Sequence, residues 1–325
     1  MDSAQAHHRT QVLLQNFMSP ISRPQLFTPL TLGGFELAHR VVMSTPPRRR
    51  ARALGIPTAL MALHHGQRAS AGGLMIGEPT AVRREGLTTP DSPGLYTCEQ
   101  ANLWRQVTDA VHARGGIILA QLAHDDVATA RPAEAATLGL MIDCFRDAAE
   151  SASDAGFDGV ELQAGDGGWV GRLLRGSPVP DEGAAAVSDL LEALAGVWGA
   201  QRVGLSLAPT LSVAQTLLLP EVQGLGIAYL RLPGLVLPEN ADLVALRRVY
   251  SGAVLASGNA SGELAAAAIS GGDVDAVAFE LAFVANPDLP ERLRRGETLA
   301  PHDPATLASG GARGYTDYPG TSDRL

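Results

Sequence analysis

The feature that most constrains this chain is a rhythm. From residue 41 almost to the end, short β-branched apolar runs alternate with longer segments of helical periodicity. Eight runs read as strands: VVMS (41–44), GLMIG (73–77), GIILAQL (116–122), GVELQ (159–163), VGLSLA (203–208), AYLRL (228–232), AVLAS (253–257) and DAVAFE (275–280). Helical patterns fall near 58–70, 98–114, 138–155, 184–199, 212–224, 240–248, 261–270 and 287–295. Strands joined through helices run parallel, because the crossover carries the chain back to the start of the sheet. Eight such pairs predict an α/β fold of the (β/α)₈ TIM-barrel class. Helix punctuation agrees: Thr97 can cap the helix holding Trp104, Gly115 and Gly116 can end it, and Asn286-Pro287 offers a proline for a first helical turn.

A chain of 325 residues with 46% hydrophobic content can bury one core of that size. The expectation is a single barrel domain over 26–325 behind a flexible leader over 1–25. The leader lacks a basic region followed by an apolar stretch, and no run approaches the roughly 20 apolar residues that cross a bilayer. A cytoplasmic protein with no membrane partner is therefore expected. A formal charge of −9 without a dense basic stretch argues against nucleic acid. Homo-oligomerisation stays open.

Lysine is absent, so all 25 cationic side chains are arginines, which excludes Schiff-base chemistry and any lysine general base. Cys98 and Cys144 show no metal-ligand spacing and read as free core thiols in a reducing compartment, with no metal expected.

Barrel enzymes place their chemistry at the carboxyl ends of the strands. His124, followed by Asp125 and Asp126 after the third run, is either a general base or part of a hydrogen-bonded surface turn. Arg231 and Glu280 end the sixth and eighth runs, and an ion pair, a catalytic acid or base, and plain exposure are all open to them. Gln163, Asp166 and Trp169 crown the fourth run, where an aromatic on a Gly-rich loop can roof a hydrophobic ligand. Arg48, Arg49 and Arg50 form a basic cluster that either attracts an anion or pairs with surface carboxylates. His64 and His65 read as residues of an exterior helix without a role, and His7 and His8 belong to the leader.

Five segments in order carry a resemblance: LFTPLTLGGFELAHRVVMS (26–44), the stretch 73–124 opening GLMIGEPTAV and closing QLAH, AGFDGVELQ (155–163), FVANPDLPERLRRGETL (283–299) and GARGYTDYP (311–319). Together they resemble the old yellow enzyme family of FMN-dependent NADH:flavin oxidoreductases and ene-reductases. The resemblance implies that Gln121 is the retained glutamine at the isoalloxazine edge. It also implies departures: Pro47 stands where the family has a threonine, and QAGDGG (163–168) stands where it has HGANGY. Gln163 and Asp166 then occupy the carbonyl-binding pair, and Gly168 the place of the proton-donating tyrosine. Ser206 replaces an arginine beside the flavin, and Glu280 with Leu281 replaces the Gly-Arg that grips the phosphate. If FMN binds, Ser44, Gln121, Ser257, Gly258 and Asn259 are the residues to hold it. Two active-face segments, 125–137 and 172–186, are shorter than the family's and read as loops.

Magnitudes shape the favoured expectation. Losing a bidentate Arg–phosphate pair forfeits about 2 to 3 kcal/mol, and a carboxylate about 4 Å from a phosphate repels it by roughly 4 kcal/mol at an effective dielectric near 20. The favoured expectation is no cofactor, with FMN as the alternative. The chemistry expected is a redox-neutral isomerisation, cyclisation or elimination on a hydrophobic carbonyl-bearing small molecule, of the kind secondary metabolism uses. His124, Asp166, Arg231 and Glu280 are the catalytic candidates, and Gln121, Gln163, Trp169, Ser206 and Arg48 the substrate contacts. Two other readings stay open: an FMN-dependent NAD(P)H ene-reductase with an atypical cofactor site, and a non-catalytic partner subunit of an active relative.

Overall fold

A computed structural model describes residues 23–320, apart from 88, 90, 126–134, 166–167, 177–178, 209–212, 235–236 and 238–240. Each of the eight β-branched runs forms a strand. The strands in chain order are β1 (Leu30–Leu32), β2 (Phe35–Leu37), β3 (Val41–Ser44), β4 (Leu74–Ile76), β5 (Thr80–Ala81), β6 (Ile117–Ala123), β7 (Gly159–Ala164), β8 (Val203–Leu207), β9 (Tyr229–Pro233), β10 (Val254–Gly258) and β11 (Ala276–Phe279). β1 and β2 form an antiparallel hairpin ahead of the barrel. The barrel strands all pair in parallel, and the ring closes through β11 on β3 and β4 on β6. β5 is a short addition beside β6.

The helices are α1 (Ala59–Arg68), α2 (Cys98–His112), α3 (Ala135–Asp154), α4 (Trp169–Gly176), α5 (Pro180–Trp198), α6 (Val213–Leu225), α7 (Ala241–Val249), α8 (Gly262–Ser270), α9 (Leu281–Ala285) and α10 (Leu289–Arg295). Thr97 caps α2 in a reciprocal capping box with Gln100. Three expectations need correction. Residues 169–176 form α4, so the shortened segment after β7 is not all loop. The first turn of α10 holds Pro290 rather than Pro287. Cys98 is exposed at the start of α2 and only Cys144 is partly buried, so the pair are free thiols but not core ones. Among the described residues no helix is long and apolar enough to cross a membrane.

Strand pleating sorts the core into two layers, since alternate side chains face opposite sides of the sheet. Val41, Met43, Val160, Leu162, Val203 and Leu205 point outward into the layer under the helices, where Trp104, Phe145 and Phe279 also lie. The opposite parity fills the barrel with Val42, Leu74, Leu119, Tyr229, Leu255 and Ala276. Along five of the barrel strands the inward positions then turn polar toward or just past the carboxyl end. Val42 gives way to Ser44, Leu119 to Gln121, Tyr229 to Arg231, Leu255 to Ser257 and Ala278 to Glu280. The apolar floor below excludes water, so the polar layer sits on a rigid, dry base.

Candidate active site at the barrel mouth

Glu161 is the centre of this layer and is fully buried on β7. An ionised carboxylate in a barrel interior is costly unless its oxygens are matched. Here the matching is complete: it accepts from Gln121 Nε2 at 2.6 Å, Tyr229 Oη at 3.0 Å, Arg231 Nε at 2.8 Å and Arg231 Nη2 at 2.7 Å. Burial works to lower the Arg231 pKa, but the adjoining Glu161 charge outweighs it and holds the guanidinium above its ordinary range. Burial, and then the same carboxylate, push the Tyr229 phenol well up, so it stays a donor.

From this pair the network reaches the rim. Arg231 Nη1 donates to Ser44 Oγ at 3.3 Å and Ser257 Oγ at 3.2 Å, and Ser257 Oγ donates to Glu280 Oε1 at 2.7 Å. Glu280 itself lies 3.9 Å from Arg231 Nη1. The ion pair left open in the sequence therefore exists as a long second contact, and the principal partner of Arg231 is Glu161.

Above the network opens a cavity of about 250 Å³, lined by Ser44, Thr45, Gln121, Gln163, Arg231 and Glu280 among others. Pro46, Pro47, Pro79 and Pro233 stiffen its walls. Thr45 Oγ1 and Gln163 Oε1 are buried there without a hydrogen-bond partner among the described residues. Orphaned buried polar atoms lining a cavity are what a polar ligand would satisfy. A larger cleft of about 630 Å³, lined by His39, Ser70, Arg114 and Arg294, lies at the amino ends of the strands, away from this layer.

The structure thus brings together Ser44, Gln121, Gln163, Ser206, Arg231 and Glu280 at one cavity. Ser257 sits just behind it, while Gly258 ends β10 and Asn259 follows it, exposed. Asp166 lies outside the described residues.

Three candidates belong elsewhere. Arg48 is fully buried, with Nε donating to Leu307 O at 2.7 Å and Nη2 to Gly314 O at 2.6 Å, so its charge serves the C-terminal segment and not a substrate. Trp169 is likewise fully buried and belongs to the outer core layer, so it roofs nothing. His124 is 2% exposed, which rules out a surface turn, and it packs against Gly86 rather than lining the cavity. A Cβ at position 86 would stand 2.3 Å from His124 Nδ1, so this approach requires glycine. His64 and His65 are also not idle exterior residues: both are fully buried, His64 stacked on Tyr315 of the C-terminal segment and His65 edge-on to Trp104.

Sequence reading missed Glu161, and it gave no role to Thr45 or Glu78 although both fall at strand carboxyl ends. Glu161 had a readable signal: it lies two residues before Gln163 in a strand, so both share the inward face, and a charge at that depth demands a partner.

The NADH:flavin oxidoreductase / NADH oxidase family profile matches residues 25–136. A flavin oxidoreductase of Emericella nidulans, hxnT, is 30% identical over 385 residues, covering 93% of this chain and 98% of that protein. A 12-oxophytodienoate reductase-like protein of Solanum lycopersicum is 29% identical, covering 90% of this chain and 96% of its own length. Among solved structures, morphinone reductase superposes with a TM-score of 0.84 at 30% identity, covering 94% of this chain and 99% of its own. The old yellow enzyme homologue of Zymomonas mobilis superposes with a TM-score of 0.83 at 26% identity. These matches overturn the favoured expectation of a cofactor-free site: the family is one of flavin oxidoreductases, and nothing in the comparisons points to an isomerase or cyclase. Geometry supplies one physical reason for the correction, since the Glu280 carboxylate set against a phosphate is engaged by Ser257 and approached by Arg231. With a closed parallel barrel, a polar mouth and near-complete coverage of these relatives, the chain belongs to the NADH:flavin oxidoreductase / NADH oxidase family, the old yellow enzymes.

Proposed function

We propose that the chain is an FMN-dependent oxidoreductase that takes electrons from NADH or NADPH and reduces an activated carbon–carbon double bond in an apolar carbonyl compound. The observation that carries this reading is the mouth cavity with its two orphaned polar atoms, Thr45 Oγ1 and Gln163 Oε1. The polar edge of a flavin offers an N–H between two carbonyls, a set that such side chains can match. Gln121, Gln163, Thr45 and Arg231 would hold that edge, and Ser257, Gly258 and Asn259 would take the phosphate end.

Bound FMN would supply hydride transfer. The chain's own residues would orient the ring and keep water from its buried side. Arg231 supplies the cation of the cavity lining, and Glu161 fixes its direction through two parallel hydrogen bonds. Gly168 has no side chain to give the proton that completes the reduction, so in this reading the proton comes from water at the mouth. Reductase names among the relatives support the reaction class, and a morphinone reductase structure contains tetrahydroNAD, a nicotinamide analogue.

The test is spectroscopic and then kinetic. Protein purified with FMN supplied should retain a stoichiometric yellow chromophore, and NADH or NADPH should be consumed with a cyclic enone. A colourless protein that fails to quench FMN fluorescence would sink the reading.

A further inference from the structure

We propose that Glu78, Arg48 and Arg50 form a buried clamp through which the C-terminal segment holds the loop after β3 as one wall of the mouth, making Glu78 a positioning residue for the mouth ligand. This rests on the mouth being the binding site, as proposed above.

The loop needs holding. Thr45, Pro46 and Pro47 line the cavity, and two residues later Arg49 adopts φ of +53°, a left-handed conformation that a residue with a Cβ takes only when its surroundings impose it. Glu78, 1% exposed and directly before the cavity-lining Pro79, supplies the constraint from inside. Its Oε2 accepts the backbone N–H of Arg48 at 2.8 Å and of Arg49 at 3.2 Å, spanning the strained position. Its other oxygen, Oε1, is buried without a hydrogen-bond partner among the described residues, so backbone capture is the work this carboxylate does.

From the other side the same loop is tied to the chain's end. Arg50 Nη2 donates to Thr306 O at 2.7 Å and Nη1 to Leu307 O at 2.8 Å, while Arg48 reaches Leu307 O and Gly314 O. Both guanidinium groups lie against the Tyr315 ring, at 5.0 and 4.8 Å from its centroid, and His64 stacks on that ring at 3.9 Å. The fork of an arginine suits this role, because its rigid donors can gather carbonyls from several residues of an irregular segment. Gly314 makes the close packing feasible. Its φ is +64°, and a Cβ there would lie 1.8 Å from Thr306 Oγ1. The chain's two ends of the fold, the loop after the first barrel strand and the segment after the last helix, are thereby one mechanical unit that terminates at the cavity wall.

The experiment compares Glu78→Met, Glu78→Gln and Arg50→Met in the full chain by hydrogen exchange followed at peptide resolution, with FMN titration as a second readout. Glu78→Met removes the oxygen that accepts from Arg48 and Arg49, and exchange of the peptide covering 45–50 should rise about tenfold, each of the two amides losing one hydrogen bond's protection. Glu78→Gln retains a carbonyl oxygen and should restore protection. Arg50→Met should loosen both 45–50 and 306–314, and it keeps the test open should Glu78→Met fail to fold. FMN affinity should fall about tenfold in Glu78→Met and recover in Glu78→Gln. Unchanged exchange at 45–50, or an equal rise across the whole barrel, would overturn the clamp. If the wild type binds no FMN, the proposed function fails while the exchange arm still decides this inference.

Discussion

Glu280→Gln removes a rim carboxylate while keeping its shape and an oxygen for Ser257. In the native protein this carboxylate is 27% exposed, accepts from Ser257 Oγ at 2.7 Å and stands 3.9 Å from the Arg231 guanidinium. Two unit charges about 4 Å apart repel by roughly 4 kcal/mol at an effective dielectric near 20. Arg231, set behind the carboxylate, would act on the same phosphate from about twice the distance and offset roughly half of that. Partial exposure screens the remainder further, which leaves about 1 to 2 kcal/mol. The substitution should therefore tighten FMN about 5- to 30-fold. Fluorescence-quench titrations of FMN and of riboflavin, which lacks the phosphate, provide the assay. FMN should respond and riboflavin should not. Equal shifts for both ligands, or no change for FMN, would refute the placement of the phosphate beside residue 280.

Glu161→Ala leaves Arg231 without its counter-charge and takes an acceptor from Gln121 and Tyr229, and should cost about 5 kcal/mol or more in urea unfolding. Adding Arg231→Met should recover part of that loss, and a purely additive double variant would contradict the coupling. Glu78, raised to about 7 chiefly by burial, keeps its proton in the folded chain while the unfolded chain releases it. Its contribution to stability is therefore full below pH 4.5 and is lost as pH climbs to about 7, an effect of about 3 kcal/mol that Glu78→Gln should erase from the pH–stability curve. His39 and His65 act oppositely, both lowered to about 4 by burial first. Their stabilising effect is present above pH 6.5 and is lost as pH falls toward 4, so His65→Gln should flatten the acid limb in the same measurement.

Much of this molecule is determined locally. Apolar runs of β-branched residues alternating with helical periodicity suffice for a parallel barrel, because each element can bury its apolar side only against the next. Strand parity also carries most of the mouth: Ser44, Gln121, Gln163, Ser206, Arg231 and Glu280 all fall on inward positions at carboxyl ends, and alternation is a property of the backbone alone. Parity even marks Glu161, although a lone charge in a strand does not say who answers it.

Partnership is what the tertiary structure decided. Sequence order leaves Arg231 free to face Glu280, its neighbour at the rim, but the register that sets β7, β8 and β9 side by side delivers it to Glu161. That choice commits Arg231 Nε and Nη2 below the cavity and leaves Glu280 to Ser257. Arg48 and Trp169 sit near strand ends in the sequence and so resemble ligand contacts, yet one is drawn into carbonyls more than 250 residues away and the other into the core under the helices. Long-range packing of this kind leaves no periodic trace, because it depends on where the closing ring places distant segments and on which buried polar groups must then find each other.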